Sequence, residues 1–151
     1  MSNHQAQIVE AAKGKVAEPL LGATFAKPRG ATTASTAGGI AGVIGGQWAG
    51  KQHKGAAAAG IRLGTPGAVA VTPTSLVTMT VGVTLGGNIK SVTEILSVVP
   101  LADVDAVEVK RMGLAGVMEI SVGGNSFKLE GKVTDMREFA AAFDRAKASA
   151  S

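Results

Sequence analysis

Apolar and polar residues alternate along much of the second half of the chain. From Thr65 onward, short runs rich in Val, Thr and Ile are separated by Gly, Pro or Asp, which is typical of β-strands joined by turns. In one run, Val107 and Val109 alternate with Glu108 and Lys110, so that strand should have one buried and one wet face. The pattern predicts strands at about 68–73, 75–83, 92–99, 104–110, 114–121 and 125–130.

The last part of the chain changes to a repeat of three to four residues, which predicts a helix at about 135–148. Thr134 is the expected N-cap of this helix. The stripe expected to pack against the sheet consists of Met136, Phe139, Ala140 and Phe143. The residues expected to face water are Glu138, Arg145 and Lys147.

The beginning of the chain predicts a short helix followed by an open stretch. Ser2 and Gln5 have the spacing of a capping box, and a four-residue apolar repeat continues the helix to about residue 18. Pro19 then ends it. Residues 20–26 fit either a strand or an extended entry into the next element, and residues 27–30 form a basic turn.

An uncharged run of 21 residues, 30–50, separates these two regions. In a helix, one bare stripe where a second backbone could approach closely would be formed by Gly38, Gly42, Gly46 and Gly50. Such a helix would be about 31 Å long, close to the roughly 30 Å hydrocarbon core of a bilayer. In water, each helical glycine costs about 1 kcal/mol relative to alanine. Three interpretations stay open: a membrane-associated or helix-packing zipper, a helix packed inside a homo-oligomer, and a loose linker.

Residues 38–51, GGIAGVIGGQWAGK, resemble the glycine-zipper segment of bacterial envelope proteins such as the rickettsial antigen family. In that family a second apolar helix usually follows. Here the next apolar stretch, residues 55–64, is ten residues long and contains Arg62. The resemblance implies helix packing through the glycine stripe, and the short second stretch argues against a two-pass hairpin.

A larger part of the chain, about residues 68–146, resembles the bacterial pleckstrin-homology-like (PH-like) domains related to GRAM domains. The matching segments are Ala70-Val71-Thr72 with Leu76-Val77, PLADVDAVEVK at 100–110, and the strand, glycine turn and strand at 120–129. The resemblance implies a mainly β, α+β fold, in which an antiparallel β-barrel or sandwich is capped by the C-terminal helix. The turn Pro73-Thr74-Ser75 lacks the basic cluster that many inositol-lipid-binding relatives carry, so we do not expect inositol-lipid recognition.

Positive charge is concentrated around the uncharged run. Residues 1–65 carry seven Lys/Arg and two acidic residues, whereas residues 66–151 carry eight and nine. Basic residues beside an apolar segment suit anionic lipid headgroups, at about 1 kcal/mol for each charge near the surface. The predicted membrane-interface residues are Lys27, Arg29, Trp48, Lys51 and Lys54. Nucleic acid is not an expected partner, because Arg clusters are absent and stacking side chains are few.

Few residues carry candidate chemistry. Residues 45–52 come close to a P-loop, but glutamine replaces the final hydroxyl residue and no apolar strand precedes them. His4 and His53 have no neighbouring metal ligands. The acidic residues stand near bases such as Lys110 and Lys128, which favours cross-strand charge pairing over acid–base catalysis. We therefore expect no catalytic residue, no metal site and no cofactor.

These observations divide the chain into an N-terminal helix with a basic turn (1–29), a small-residue segment (30–64) and a PH-like β-domain with a C-terminal helix (65–151). The absence of cysteine suits a reducing cytoplasm, and no secretory signal is expected. The leading interpretation is a non-enzymatic, membrane-associated adaptor that binds a partner protein, a second copy of itself or an anionic lipid. The alternative is a soluble structural subunit of a homo-oligomeric assembly, and a small-molecule-binding barrel comes third.

Overall fold

The computed structural model describes residues 2–29, 50–64, 66–113 and 115–150, which form seven strands and three helices. The strands are β1 (Gly22–Pro28), β2 (Gly67–Val71), β3 (Ser75–Val83), β4 (Ile89–Pro100), β5 (Val104–Met112), β6 (Ala115–Val122) and β7 (Asn125–Lys132). The helices are α1 (Asn3–Ala11), the described part of α2 (50–58) and α3 (Val133–Ala150). A short 3₁₀ turn, Leu101–Asp103, joins β4 to β5.

All seven strands belong to one antiparallel sheet in the order β4-β3-β2-β1-β7-β6-β5. Consecutive strands from β2 to β4 and from β5 to β7 pair as hairpins, because short connections allow antiparallel pairing. Strand β1 comes first in the chain but lies in the middle of the sheet. Its Ala23 pairs with Ala70 of β2, and its Ala26 pairs with Gly131 of β7. The fold is therefore α+β, with β1 joining the two halves of the sheet.

One apolar cluster lies between the sheet and α3. Three residues of the predicted stripe of α3 are confirmed, since Met136, Phe139 and Phe143 are at most 2% exposed. The fourth, Ala140, is only half-buried, and the stripe continues through Ala142 and Ala146 instead. They pack with inward-facing side chains of β6 and β7, including Met118 and Phe127. Each large apolar side chain buried in this way contributes about 1.5–3 kcal/mol. Burial of the stripe therefore holds α3 against the sheet.

A second apolar cluster lies under α1. Alternate residues of β2 enter the two clusters, because successive side chains of a strand point to opposite faces. Val69 and Val71 belong to the α3 cluster, whereas Ala68 and Ala70 pack with Ile8 of α1. Strand β2 is consequently buried on both faces.

The N-terminal elements differ in part from the prediction. The capping box is confirmed, since the Gln5 N–H donates to Ser2 Oγ and the Ser2 N–H donates to the Gln5 side chain. The predicted extent of 2–18 is wrong, because α1 ends at Ala11. Gly14 follows with a φ of +81°, a left-handed conformation that glycine adopts freely. Of the two alternatives for residues 20–26, the strand is the one formed. The predicted basic turn at 27–30 is wrong in its first half, because Lys27 and Pro28 still pair with β7 as part of β1.

The six strands predicted after residue 65 are confirmed as β2 to β7. Two further details of the C-terminal helix were wrong. Thr134 is not an N-cap, because α3 begins at Val133 directly after β7. Lys147 is half-buried, and its Nζ donates to the Leu101 and Val104 carbonyls at the β4–β5 connection. The predicted division of the chain into three regions, with boundaries at residues 29 and 64, stays a prediction. The structure adds that β1, from the first region, pairs with β2 and β7 of the third.

Candidate anion-binding face

Helix α2 lies against the start of β7 because a glycine lets its backbone come close. A Cβ atom on Gly55 would lie 2.5 Å from the Ser126 carbonyl oxygen, so a larger residue does not fit without a shift. Asn125 Nδ2 donates to the Ala58 carbonyl at 3.2 Å, which satisfies a carbonyl near the helix C-terminus. Ala56 is fully buried in the α3 cluster. These contacts hold α2 beside the sheet.

Both flanks of the uncharged run meet the backbone of Lys128 in β7. The Arg29 N–H donates to the Lys128 carbonyl at 3.0 Å. The Lys128 N–H donates to Gln52 Oε1 at 2.6 Å. The Gln52 side chain is buried, and this partly buried bond orients α2 against β7. The chain therefore leaves the sheet at Arg29 and returns in α2 at the same place.

A cleft of about 690 Å³ opens beside Lys128. Four basic side chains line it from three parts of the fold: Arg29 after β1, Lys51 and Lys54 on α2, and Lys128 on β7. Lys51 and Lys54 are exposed, whereas Arg29 and Lys128 are half-buried. One acidic residue, Glu119, shares the lining. The cleft therefore has a strong excess of positive charge.

A second cleft of about 250 Å³ shares Arg29, Glu119 and Lys128 with the first and adds the basic side chains of Lys110 and Arg111. Glu108 is its second acidic residue. The two clefts together form what we call the basic face: six basic residues, Arg29, Lys51, Lys54, Lys110, Arg111 and Lys128, with two acidic residues, Glu108 and Glu119.

The basic face accounts for the net charge of the molecule. Its six basic and two acidic side chains leave an excess of four, equal to the formal net charge of +4 for the whole chain. The remaining residues then carry nine basic and nine acidic side chains. The net charge of the basic face therefore equals that of the whole chain, and the other residues carry equal numbers of basic and acidic side chains.

Strand alternation explains how the face is built. Phe127 and Leu129 of β7 point into the core, so Lys128 between them points outward. Across the sheet, Lys128 pairs in register with Glu119 of β6, which in turn pairs with Glu108 of β5. Glu119 is thus flanked by one basic and one acidic residue. Cross-strand charge pairing was the predicted role of these carboxylates. The register places Glu119 opposite Lys128 but Glu108 opposite Glu119, and within the described ranges neither acid forms an ion pair with a base.

The positive charge of this face is not neutralised by its own acids. Among the described residues, no ion pair joins any of the six cations to Glu108 or Glu119. The neighbouring run 30–49 contains no charged residue at all. Lys and Arg side chains that surround an open cleft without such pairing attract anions, and phosphate or carboxylate groups are their usual ligands. The part of the chain that the structure describes contains no group of three or more metal-ligating side chains.

The structure brings together three of the five predicted membrane-interface residues: Arg29, Lys51 and Lys54 line one cleft. Lys27 lines neither cleft and pairs in register with Glu130 of β7. Of the predicted helix-packing glycines, Gly50 is exposed in α2, and a Cβ added to it would have no described atom within 4 Å. Four predicted residues lie outside the described part of the chain, namely Gly38, Gly42, Gly46 and Trp48.

Three basic residues of the face were not predicted: Lys110, Arg111 and Lys128. Two of them, Lys110 and Lys128, alternate with apolar residues in β5 and β7, which indicated only that they face outward. No sequence signal indicated that β7 lies beside both flanks of the uncharged run. That proximity depends on the central position of β1 in the sheet.

Neither a protein-family model nor a curated protein sequence matches this chain. Within the described ranges, no helix has both the length and the apolar character needed to cross a membrane.

Proposed function

We propose that this chain is a non-enzymatic, membrane-associated adaptor of the cytoplasm, built on a PH-like domain. The PH-like assignment is supported by the resemblance over residues 68–146 and by the arrangement of the elements. Seven antiparallel strands form two hairpin series joined through β1, and a C-terminal helix packs on the sheet directly after the last strand. This arrangement is compatible with the capped β architecture that the resemblance implied.

Membrane attachment is proposed from one observation: the basic face lies where both flanks of the uncharged run meet. A lysine or arginine near an anionic membrane surface contributes about 1 kcal/mol. An excess of four positive charges then favours an anionic surface by about 4 kcal/mol, which is roughly a thousandfold in the partition constant. The attraction should weaken as salt shortens the Debye length.

The position of the two flanks restricts how the glycine run could serve attachment. A helix crossing the bilayer once would leave its flanks on opposite sides of the membrane. Arg29 and Gln52 both bind the backbone of Lys128, so the two flanks stay on one side. We therefore propose that residues 30–49 do not pass through the bilayer once, and that both ends of this run stay on the side of the membrane where the basic face lies.

Co-flotation of the full chain with vesicles tests the proposal. We expect binding to phosphatidylcholine vesicles that contain phosphatidylserine and much weaker binding to phosphatidylcholine alone. Replacing Lys51 and Lys54 with alanine should lower the partition constant by about 2 kcal/mol, or roughly thirtyfold. The matched control replaces Lys13 and Lys15, which line neither cleft and whose loss removes the same net charge. Equal losses in the two double variants would refute a localised site.

A second measurement separates the adaptor from the structural-subunit alternative. Gly42→Leu combined with Gly46→Leu should reduce membrane partition if the glycine run contributes to attachment, because larger side chains prevent close packing. If instead the run packs inside a homo-oligomer, these substitutions should change the particle size and leave vesicle binding intact. Unchanged values in both assays would remove the glycine stripe from the proposal.

A further inference from the structure

The two outermost strands of the sheet are β4 and β5, and no strand of the described residues pairs with the outer edge of either. Unpaired strand edges are templates for a strand of another chain. The two edges differ in regularity. Pairing of β4 with β3 contains three register shifts, whereas β5 pairs with β6 without a shift from Ala106 to Met112. Because such shifts bend and twist a strand, β5 is the edge better suited to accept a new strand.

We propose that β5 is a self-association edge, on which β5 of a second copy pairs antiparallel about a two-fold axis at Val109. In this register Glu108 lies opposite the partner's Lys110, and Lys110 lies opposite the partner's Glu108. Centring the axis on residue 108 or residue 110 instead places two identical charges opposite each other. The sequence of β5 is therefore self-complementary in one symmetric register, as an isologous interface requires.

Among the described residues of one protomer, neither Glu108 nor Lys110 of β5 has an ion-pair partner. Glu108 lies opposite another acid, Glu119, and Lys110 lies opposite Val117. Like charges directly opposite each other destabilise a strand pair, and opposite charges stabilise it. In the proposed dimer, each Glu108 gains the partner's Lys110 on its free side. The pairing thus offsets a repulsion that the isolated protomer contains.

Apolar side chains of β5 support the same register. Val107 and Val109 are half-buried and pack at the margin of the α3 cluster. At the axis, Val109 meets the partner's Val109, which would extend this cluster across the interface. Met112, which is 50% exposed, lies opposite the partner's Ala106. Apolar surface that the protomer leaves in water is then covered.

The dimer would place two basic faces on one side of a continuous sheet. In an antiparallel edge pairing, opposed side chains point to the same face, so the two-fold axis is perpendicular to the sheet. Two copies could then contact one anionic surface together, and the second contact would become intramolecular. The inference goes beyond the proposed function, which requires no dimer, although Glu108, Lys110 and Arg111 of β5 belong to the basic face.

Sedimentation equilibrium of the full chain tests the proposal. The wild-type protein is expected to be a reversible dimer. Glu108→Lys and Lys110→Glu each turn both symmetric charge pairs into repulsive ones and should raise the dimer dissociation constant roughly tenfold or more. The double variant E108K/K110E restores opposite charges and should return the constant to within about threefold of wild type.

Glu108→Lys also tests whether a loss of dimerisation could be due to misfolding. It replaces the repulsion with Glu119 by an attraction, so the unfolding free energy should not fall while the dimer weakens. Glu94→Lys on β4 is the matched control and should leave the dimer unchanged. A monomeric wild type, a dimer insensitive to both single variants, or a double variant that stays dissociated would each overturn the proposal. Because Glu108→Lys adds positive charge to the basic face, failure of vesicle binding and failure of dimerisation remain distinguishable.

Discussion

Gly55 offers the sharpest test of how α2 is placed. In Gly55→Ala the new Cβ would lie 2.5 Å from the Ser126 carbonyl oxygen and 3.5 Å from Phe127 Cβ. Overpacking of this kind costs about 1–3 kcal/mol, and alanine recovers at most about 1 kcal/mol through its higher helix propensity. Because the overlap is with a backbone oxygen at 2.5 Å, the cost should lie in the upper part of that range, about 2–3 kcal/mol, and the net loss should be about 1–2 kcal/mol. Because the obstacle is backbone, the strain is relieved by moving α2 away from β7.

The matched control is Gly50→Ala in the same helix, where no described atom lies within 4 Å of the added Cβ. It carries the helix-propensity gain without the overlap, so its stability should be unchanged or higher by up to about 1 kcal/mol. Urea unfolding measures both variants. With a slope of about 2 kcal/mol per molar urea, Gly55→Ala should lower the midpoint by about 0.5–1 M.

Vesicle binding supplies the functional side of this prediction. Since α2 carries Lys51 and Lys54, its displacement in Gly55→Ala should weaken binding to anionic vesicles, while Gly50→Ala should bind as wild type does. A Gly55→Ala protein as stable as wild type would refute the close approach of α2 to β7. If Gly55→Ala is destabilised but binds vesicles as tightly as wild type, the position of α2 does not determine vesicle binding.

Three further predictions concern single side-chain contacts. Gln52→Ala leaves the Lys128 N–H without its acceptor and should cost about 1–2 kcal/mol in thermal unfolding, whereas Gln52→Glu keeps an acceptor and should cost less; equal losses would contradict the hydrogen bond. Ser2→Ala removes the N-cap of α1 and its hydrogen bond to Asp135. The local unfolding free energy of α1 should fall by about 1 kcal/mol, so its backbone amides should exchange hydrogen faster. Unchanged protection of these amides would show that the cap does not stabilise α1. Lys147→Met loses the donor to the two carbonyls at the β4–β5 connection and should lower the melting temperature by about 2–4 °C, and an unchanged melting temperature would rule this contact out as a contributor.

Periodicity predicted the elements that bury one face. The stripe of α3 and the alternation in β5 both indicate a single covered side. The structure buries the side of α3 that faces the sheet, whereas Val107 and Val109 of β5 are half-buried at the margin of the same cluster. Strand β1 gave a weaker signal because it is buried on both sides: Gly22, Ala23 and Thr24 are all buried, so no alternation is visible. Helix α1 was overextended because its apolar repeat continues past Gly14, where the backbone turns.

The candidate site could be predicted only in part, because local sequence patterns do not report which distant residues the fold brings together. Arg29, Lys51 and Lys54 stand beside the uncharged run in the sequence, so their shared neighbourhood was visible. Lys128 is about a hundred residues from Arg29 along the chain and is joined to it by one backbone hydrogen bond. A contact of that separation is set by the strand order, and no local pattern reports the strand order.

The central position of β1 has a consequence for the integrity of the molecule. A protease cut within residues 30–49 would separate residues 2–29 from the rest of the chain, yet that fragment would still be hydrogen-bonded into the sheet between β2 and β7. Its helix α1 would remain bound through Ile8 and the bond from Ser2 to Asp135. The protein is thus suited to fragment complementation, in which two separately produced fragments, cut within residues 30–49, associate to restore the folded sheet.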